Sequence, residues 1–242
     1  MPITLNNFLC KYDETIILNK TNLTIDNHLT LLGANGSGKS SLAKAICDLV
    51  HYDGDIFINN KNIKTFSLLK KAQTISYIPA KLDVYDLFIT LKEFVLMGRF
   101  AHKKSYFDYS FDDKKLADNA ISLLNLSHLK EHTLNSLSSG ESQLAQIAAA
   151  LVAQSSIIIF DEPTANLDPS NAKIIAQHIK NLKQNHQIIL ITHDLHLACF
   201  IDSPIGFIKN KSLLLYGREF FDDDKLEELY NVNFSNLAVR YA

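Results

Sequence analysis

A chain of 242 residues with 47% hydrophobic and 21% charged residues has an ordinary globular composition and folds as one large domain or two unequal lobes, which excludes a fibrous or disordered protein. Its formal net charge of −2 leaves no broad basic field, so nucleic acid is not an expected partner. The longest apolar runs, Ile157 to Phe160 and Ile188 to Ile191, fall far short of the roughly 20 residues of a membrane-spanning helix, and the separated Cys10, Cys47 and Cys199 suggest neither a disulfide framework nor a zinc site and read as small core hydrophobes.

The N-terminus, MPITLNNFLCKYDE, has no basic region leading into an apolar stretch, so no secretory signal is read and the cytoplasm is the expected compartment. Alternation predicts short strands at Ile3 to Leu5, Thr15 to Leu18 and Leu23 to Ile25, a β-rich opening broken by turns. Leu29 to Leu32 is an apolar strand running into a glycine loop, and Ser40 to Val50 has helical spacing. Strands are expected at Asp55 to Ile58 and Thr74 to Ile78, then helices at Val84 to Met97 and Lys114 to Leu126. From Gly140 the pattern is helix to Ala153, strand Ile157 to Phe160, helix near Asn171 to Asn185, strand Gln187 to Ile191 and helix Leu195 to Phe200. That alternation implies a mostly parallel sheet covered by helices, interrupted by a helical insertion. Asp222 to Asp224 suit the start of a peripheral helix reaching Tyr230.

The loop GANGSGKS places Gly33, Gly38, Lys39 and Ser40 at the GxxxxGK[ST] spacing, between a predicted strand and a predicted helix, as a phosphate loop requires. Glycines let successive backbone N–H groups of Gly33, Ala34, Asn35, Gly36, Ser37, Gly38, Lys39, Ser40 and Ser41 turn toward the phosphates of ATP. Lys39 adds charge, and the Ser40 hydroxyl suits Mg²⁺. A second apolar strand ends in Asp161 and Glu162, at the strand edge where open α/β sheets bind phosphates. Asp161 would hold Mg²⁺ through its water shell, and Glu162 would take a proton from, or orient, the attacking water. The strand ending before Thr192-His193-Asp194 puts His193 where it can contact the γ-phosphate. Leu137 to Glu141 is a small-residue turn before a helix, offering N–H groups and a hydroxyl to an anion.

In this order and spacing, GANGSGKS, LSSGE, IIIFDEP, ANLD and ITHD resemble the ATP-binding cassette ATPases along nearly the whole chain. The resemblance implies an α/β fold: a P-loop NTPase (RecA-like) core with an N-terminal antiparallel β subdomain and a helical insertion. One cassette domain would span 1–242, with 1–82 and 141–242 as nucleotide-binding core and 83–140 as helical subdomain. It further implies a head-to-tail homodimer with two ATP molecules at the interface, in which Ser138 and Gly140 of one chain cap the γ-phosphate held by Gly33 to Ser40 of the other. Asn166, Leu167 and Asp168 match the loop crossing that interface, and Tyr12, twenty-one residues before Gly33, matches the aromatic that stacks on adenine.

Three places depart from the family pattern. Ala80 stands where a Gln normally follows Ile78-Pro79, Ser139 and Glu141 replace a usual Gly and Gln, and Leu144 stands where Arg is common. The short insertion lacks the heptads and paired cassettes of the non-transport relatives, which favours the transporter branch over an ATP switch. Within it, EFVLMGRFAH, Glu93 to His102, is similar to importers of ferric siderophores, haem or cobalamin; zinc and manganese importers carry a similar stretch. The implied partners are a transmembrane permease docked near Ala80 to Leu96 and, through it, a substrate-binding protein, with the chain on the inner face of the membrane.

Overall fold

The computed structural model of the protein describes residues 1–12, 15–82, 86, 88–103 and 108–230. Packing divides the chain into two units, Met1–Thr65 with Ile179–Ala242, and Phe66–His178.

The first unit opens on two long strands, β1 (Ile3–Tyr12) and β2 (Thr15–Ile25), paired antiparallel. Ile3, Leu5, Phe8 and Cys10 are buried, so the inward positions change from odd to even between Leu5 and Phe8. The register shifts at that place, and Asn7 takes a left-handed backbone there (φ 48°) with its N–H donating to Asn22 Oδ1 at 2.7 Å. This bulge breaks the period-two pattern, which is why the sequence reads as short pieces where the fold has two continuous strands. β3 (Leu29–Gly33) is buried at every residue, as a parallel strand covered on both faces must be. It leads to α1 (Lys39–Ile46), which stops short of the expected Val50 because Asp48 turns left-handed (φ 56°) and the N–H of Leu49 closes back on Lys44 O at 2.9 Å. β4 (Asp53–Ile58) and β5 (Lys61–Asn62) form a hairpin whose two turn residues, Asn59 and Asn60, both have positive φ. These strands complete an antiparallel sheet in the order β2-β1-β4-β5.

The second unit begins with α2 (Leu68–Thr74) and β6 (Ile75–Ile78). α3 covers only Leu91–Met97; the expected start at Val84 lies outside the described residues, and Thr90 sets the start with a capping box to Glu93. α4 (Phe111–Leu123) starts the same way on Ser110 and Asp113, three residues earlier than expected. Then come α5 (Ser139–Ala153), β7 (Ile157–Asp161) parallel to β6, and α6 (Pro169–Leu182).

The chain returns to the first unit with β8 (Gln187–Ile191), α7 (Leu195–Ile201), β9 (Ile205–Lys209), β10 (Ser212–Tyr216) and α8 (Asp223–Tyr230). Here the sheet runs β10-β9-β3-β8, with β9 and β8 parallel to β3. α8 is less peripheral than its acidic start suggests, because Leu226 and Leu229 pack with Phe207 and Phe220 in one buried cluster. Each such side chain contributes about 1.5–3 kcal/mol by leaving water. Cys10 is buried, whereas Cys47 and Cys199 are half-buried, so only the first is a core residue. Among the described residues, no helix is long and apolar enough to cross a membrane.

Candidate nucleotide-binding site

The phosphate loop lies in the first unit, where β3 hands over to α1. Gly33 and Gly38 have φ of 144° and 104°, which side-chain-bearing residues rarely adopt. Space excludes them as well: a Cβ on Gly33 would lie 2.7 Å from Ile208 O, and one on Gly38 would lie 2.3 Å from Ile17 Cγ2. Between them the N–H of Ser37 donates to Ala34 O at 3.1 Å, leaving Ala34, Asn35 and Gly36 exposed. Lys39 is only 6% exposed, and its ammonium donates to Gly33 O at 2.9 Å and Ala34 O at 3.1 Å. The cation is thereby held against the loop it must complement. Ser37 Oγ is buried without a hydrogen-bond partner, a cost of about 1–3 kcal/mol that a phosphate oxygen would relieve. Ser40 and Ser41 follow in the first turn of α1, and the glycine cradle, the buried ammonium and this orphaned hydroxyl fit a polyphosphate.

The parallel ladder fixes the second component. Leu31 of β3 pairs with Ile191 of β8, and the N–H of Thr192 donates to Leu31 O at 3.2 Å. His193 follows directly, just past the carboxyl end of the strand that lies beside β3. His193 is exposed, and the next residue, Asp194, caps α7 by accepting from the N–H groups of His196 and Leu197 at 2.8 and 3.1 Å.

In the second unit Phe160 of β7 pairs with Ile78 of β6 as the last position of that ladder, and Asp161 and Glu162 follow at its carboxyl end. Asp161 is 6% exposed and its Oδ2 accepts from the Tyr77 hydroxyl at 2.6 Å. Glu162 takes a left-handed backbone (φ 50°), a cost of roughly 1–2 kcal/mol for a residue with a Cβ, which turns the chain sharply as the strand ends. Its carbonyl closes the following turn by accepting from the N–H of Ala165 at 3.1 Å.

Ser138 is the N-cap of α5. Its N–H and hydroxyl donate to Glu141 Oε2 at 2.8 and 2.7 Å, while Ser138 Oγ accepts from the N–H of Glu141 at 3.3 Å. These bonds hold the Glu141 carboxyl below its usual range. Ser138 is exposed and Gly140 is buried beneath Asn171, where a Cβ would come within 3.0 Å of Asn171 Cγ. Asn171 in turn donates through Nδ2 to Asp168 Oδ2 at 2.6 Å. Asp168 Oδ1 also accepts from Ser170 Oγ and the N–H groups of Ser170 and Asn171 at 2.5, 3.0 and 3.1 Å, so the carboxyl, with the Ser170 hydroxyl as main cause, titrates at about 2. Asp168 is therefore the cap of α6 in this state.

Of the sequence-derived residues, Tyr12, Gly33 to Ser41 and His193 belong to the first unit, and Ser138, Gly140, Asp161, Glu162 and Asp168 to the second. Tyr12 ends β1, and its side chain lies outside the described part. Sequence reasoning missed Tyr77 and Asn171; neither carries a signal on its own, because each acts through a partner brought close by strand register or a helix cap.

A parallel sheet with a glycine loop between strand and helix, and acidic residues closing a second strand, defines the P-loop NTPase class. The family model for the ABC transporter matches residues 18–165, and the chain belongs to that family as an ATP-binding, ATP-hydrolysing cassette. It is 33% identical over 211 residues to an uncharacterized ABC transporter ATP-binding protein of Methanocaldococcus jannaschii, covering 85% of this chain and 81% of that one. It is 30% identical over 221 residues to the petrobactin import ATP-binding protein FpuD of Bacillus anthracis, covering 89% and 81%. A nucleotide-free ATP-binding cassette from an ABC transporter shares the fold with a TM-score of 0.80 at 22% identity, covering 96% of each chain. A dimeric bacterial ABC transporter cassette does so with a TM-score of 0.77 at 24% identity, covering 89% of this chain and 98% of that one.

Proposed function

We propose that this ABC transporter ATPase powers uptake of a metal chelate, an iron siderophore, haem or cobalamin, through a separate membrane permease. The observation that carries the ATPase chemistry is the β3–β8 ladder, whose carboxyl end carries the phosphate loop after one strand and His193 just past the other. The phosphate loop holds the β- and γ-phosphates, with Lys39 as the fixed cation. Ser40 offers a hydroxyl, a hard oxygen donor of the kind Mg²⁺ takes, and Asp161 a carboxylate that would hold the cation through its water shell. Held there, Mg²⁺ would supply positive charge against that developing on the phosphates. Glu162 orients the attacking water or accepts its proton, His193 contacts the γ-phosphate, and Tyr12 stacks on adenine.

Two copies pack head to tail, Ser138 and Gly140 of each reaching the nucleotide of the other, with Asp168 in the crossing loop. In this reading 83–140 is the helical subdomain, and 1–82 with 141–242 the nucleotide-binding core. The permease, served by a substrate-binding protein, holds the chain at the cytoplasmic face of the membrane. The chelate assignment is supported by two petrobactin import relatives, FpuD and FpuC, the latter 31% identical to this chain, and by the stretch Glu93 to His102.

Glu162→Gln tests the chemistry. It should keep ATP binding, slow turnover by on the order of a hundredfold or more, and trap a dimer with ATP and Mg²⁺ on gel filtration. Normal hydrolysis with only monomer present would refute both the role of Glu162 and the dimer. Uptake of radiolabelled ferric siderophore by cells lacking the chain tests the substrate; unchanged iron uptake with lost zinc or manganese uptake would replace the chelate by a free metal ion.

A further inference from the structure

We infer that Tyr77 is a positioning residue for the metal-side carboxylate, supplying from β6 the polar contact that residue 80 does not. This rests on the assignment of Asp161 to Mg²⁺. Two residues past Ile78, the last paired position of β6, Ala80 presents an exposed methyl group. β6 does place a polar atom on the acidic pair, from three residues earlier. Tyr77 pairs with Ile159, and its ring carries the hydroxyl forward along the neighbouring strand to Asp161 Oδ2 at 2.6 Å. That is the short range of hydroxyl–carboxylate bonds, which are stronger than neutral ones.

Tyr77 is not merely filling the core. Its ring lines a cavity of about 220 Å³ with Pro79, Leu82, Phe94 and Gln146, so packing does not enclose it on every side. Its hydroxyl end is tied to Asp161. The consequence runs the other way too: the hydroxyl that Oδ2 accepts restrains the Asp161 carboxylate, which in the proposed site serves the hydration shell of the cation. A carboxylate free to rotate would leave metal and nucleophile less well placed, and small misplacements are costly in rate.

The test is equilibrium titration of a fluorescent ATP analogue, with Mg²⁺ and with EDTA, on the wild-type chain, Tyr77→Phe and Asp161→Asn. Tyr77→Phe keeps the ring and removes the hydroxyl. It should lower the Mg²⁺-dependent gain in affinity by about tenfold, the order expected for losing a hydrogen bond to a charged group, and leave the EDTA affinity unchanged. The electron paramagnetic resonance spectrum of Mn²⁺ bound with ATP should broaden in the same variant. If Asp161→Asn loses the Mg²⁺-dependent gain and Tyr77→Phe retains it, the inference is overturned and the metal assignment stands. If Tyr77→Phe weakens binding equally with and without Mg²⁺, Tyr77 is only structural and the inference fails. If neither variant changes the Mg²⁺ dependence, Asp161 is not the metal-side carboxylate and the site assignment falls with it.

Discussion

Arg99 and Asp113 offer the sharpest test of how the second unit is held together. Their side chains are only 10% and 8% exposed, and Arg99 Nε donates to Asp113 Oδ1 at 2.7 Å. The same guanidinium donates to Val152 O and to Gln154 Oε1, each at 2.8 Å, which ties the end of α3 and the start of α4 to the last turn of α5. Burial alone would raise the Asp113 carboxyl, but bonds from Ser110 and Arg99 outweigh it and hold the group below its ordinary value. Arg99→Met keeps the stem and deletes the charge, leaving the buried Asp113 carboxylate without its counter-ion and Asp113 Oδ1 and Val152 O without the bonds they accept from it. Breaking a buried pair from one side costs about 3–5 kcal/mol, and at this chain length each kcal/mol shifts the melting temperature by about 2–4 °C. A fall of about 6–20 °C is expected by differential scanning calorimetry. The double variant Arg99→Met, Asp113→Leu should recover part of that loss, less about 1 kcal/mol for the α4 cap, since an apolar pair needs no desolvated partner. A shift under 2 °C for Arg99→Met, or a double variant whose loss is the sum of the two singles, would refute the reasoning.

Lys39→Ala should abolish tight ATP binding, because no other cation is fixed by the loop at the β- and γ-phosphates; unchanged affinity in an equilibrium titration would refute it. Ala80→Gln should raise the ATPase rate of the isolated chain if a missing amide limits the site, whereas a fall in both rate and Mg²⁺-dependent affinity would show that Ile78-Pro79-Ala80 is misaligned with the glutamine loop of the family. His28 makes stability pH-dependent. Desolvation first, then Lys183 and the N-terminal amine, lower its pKa to about 4, and its Nδ1 must be unprotonated to accept from the N–H of Ile188 at 3.1 Å. The unfolded chain takes up that proton near pH 6.5 and the folded chain only near 4, so stability is present above about 6.5, falls toward 4 and then levels. After discounting for partial exposure the loss is on the order of 1–2 kcal/mol, and His28→Gln should flatten that part of the urea-midpoint profile; an identical profile would refute the role of His28.

The core strands were legible because a strand buried on both faces leaves a continuous apolar run, as at Ile157 to Phe160 and Ile188 to Ile191, and the phosphate loop because only glycine fits Gly33 and Gly38. What escaped depends on contacts distant in sequence or on local turns. The β9–β10 hairpin turns through Asn210 and Lys211, both at positive φ, and Lys is not the glycine that announces such a turn. The true start of α3 was written as Thr90 to Glu93, a capping box that helical periodicity alone overruns. No pattern along the chain could pair Tyr77 with Asp161, since their meeting depends on the register of β6 against β7. The assembly of the nucleotide residues across two chains rests on family resemblance alone.

α5 has a mechanical consequence. Its 15 residues make a rod of about 22 Å that starts at Ser138 and, after three further residues, feeds β7 and the Asp161-Glu162 pair. Most of its length is buried, including Gln143, Ala145, Gln146, Ile147, Ala148 and Ala150, so it has little room to bend. If two copies pack head to tail as proposed, the near end of this rod lies toward the nucleotide of the neighbour and the far end carries the chain's own Asp161-Glu162 pair. Each cassette would then act as a push rod between two engines, and neither could fire without the other feeling the stroke.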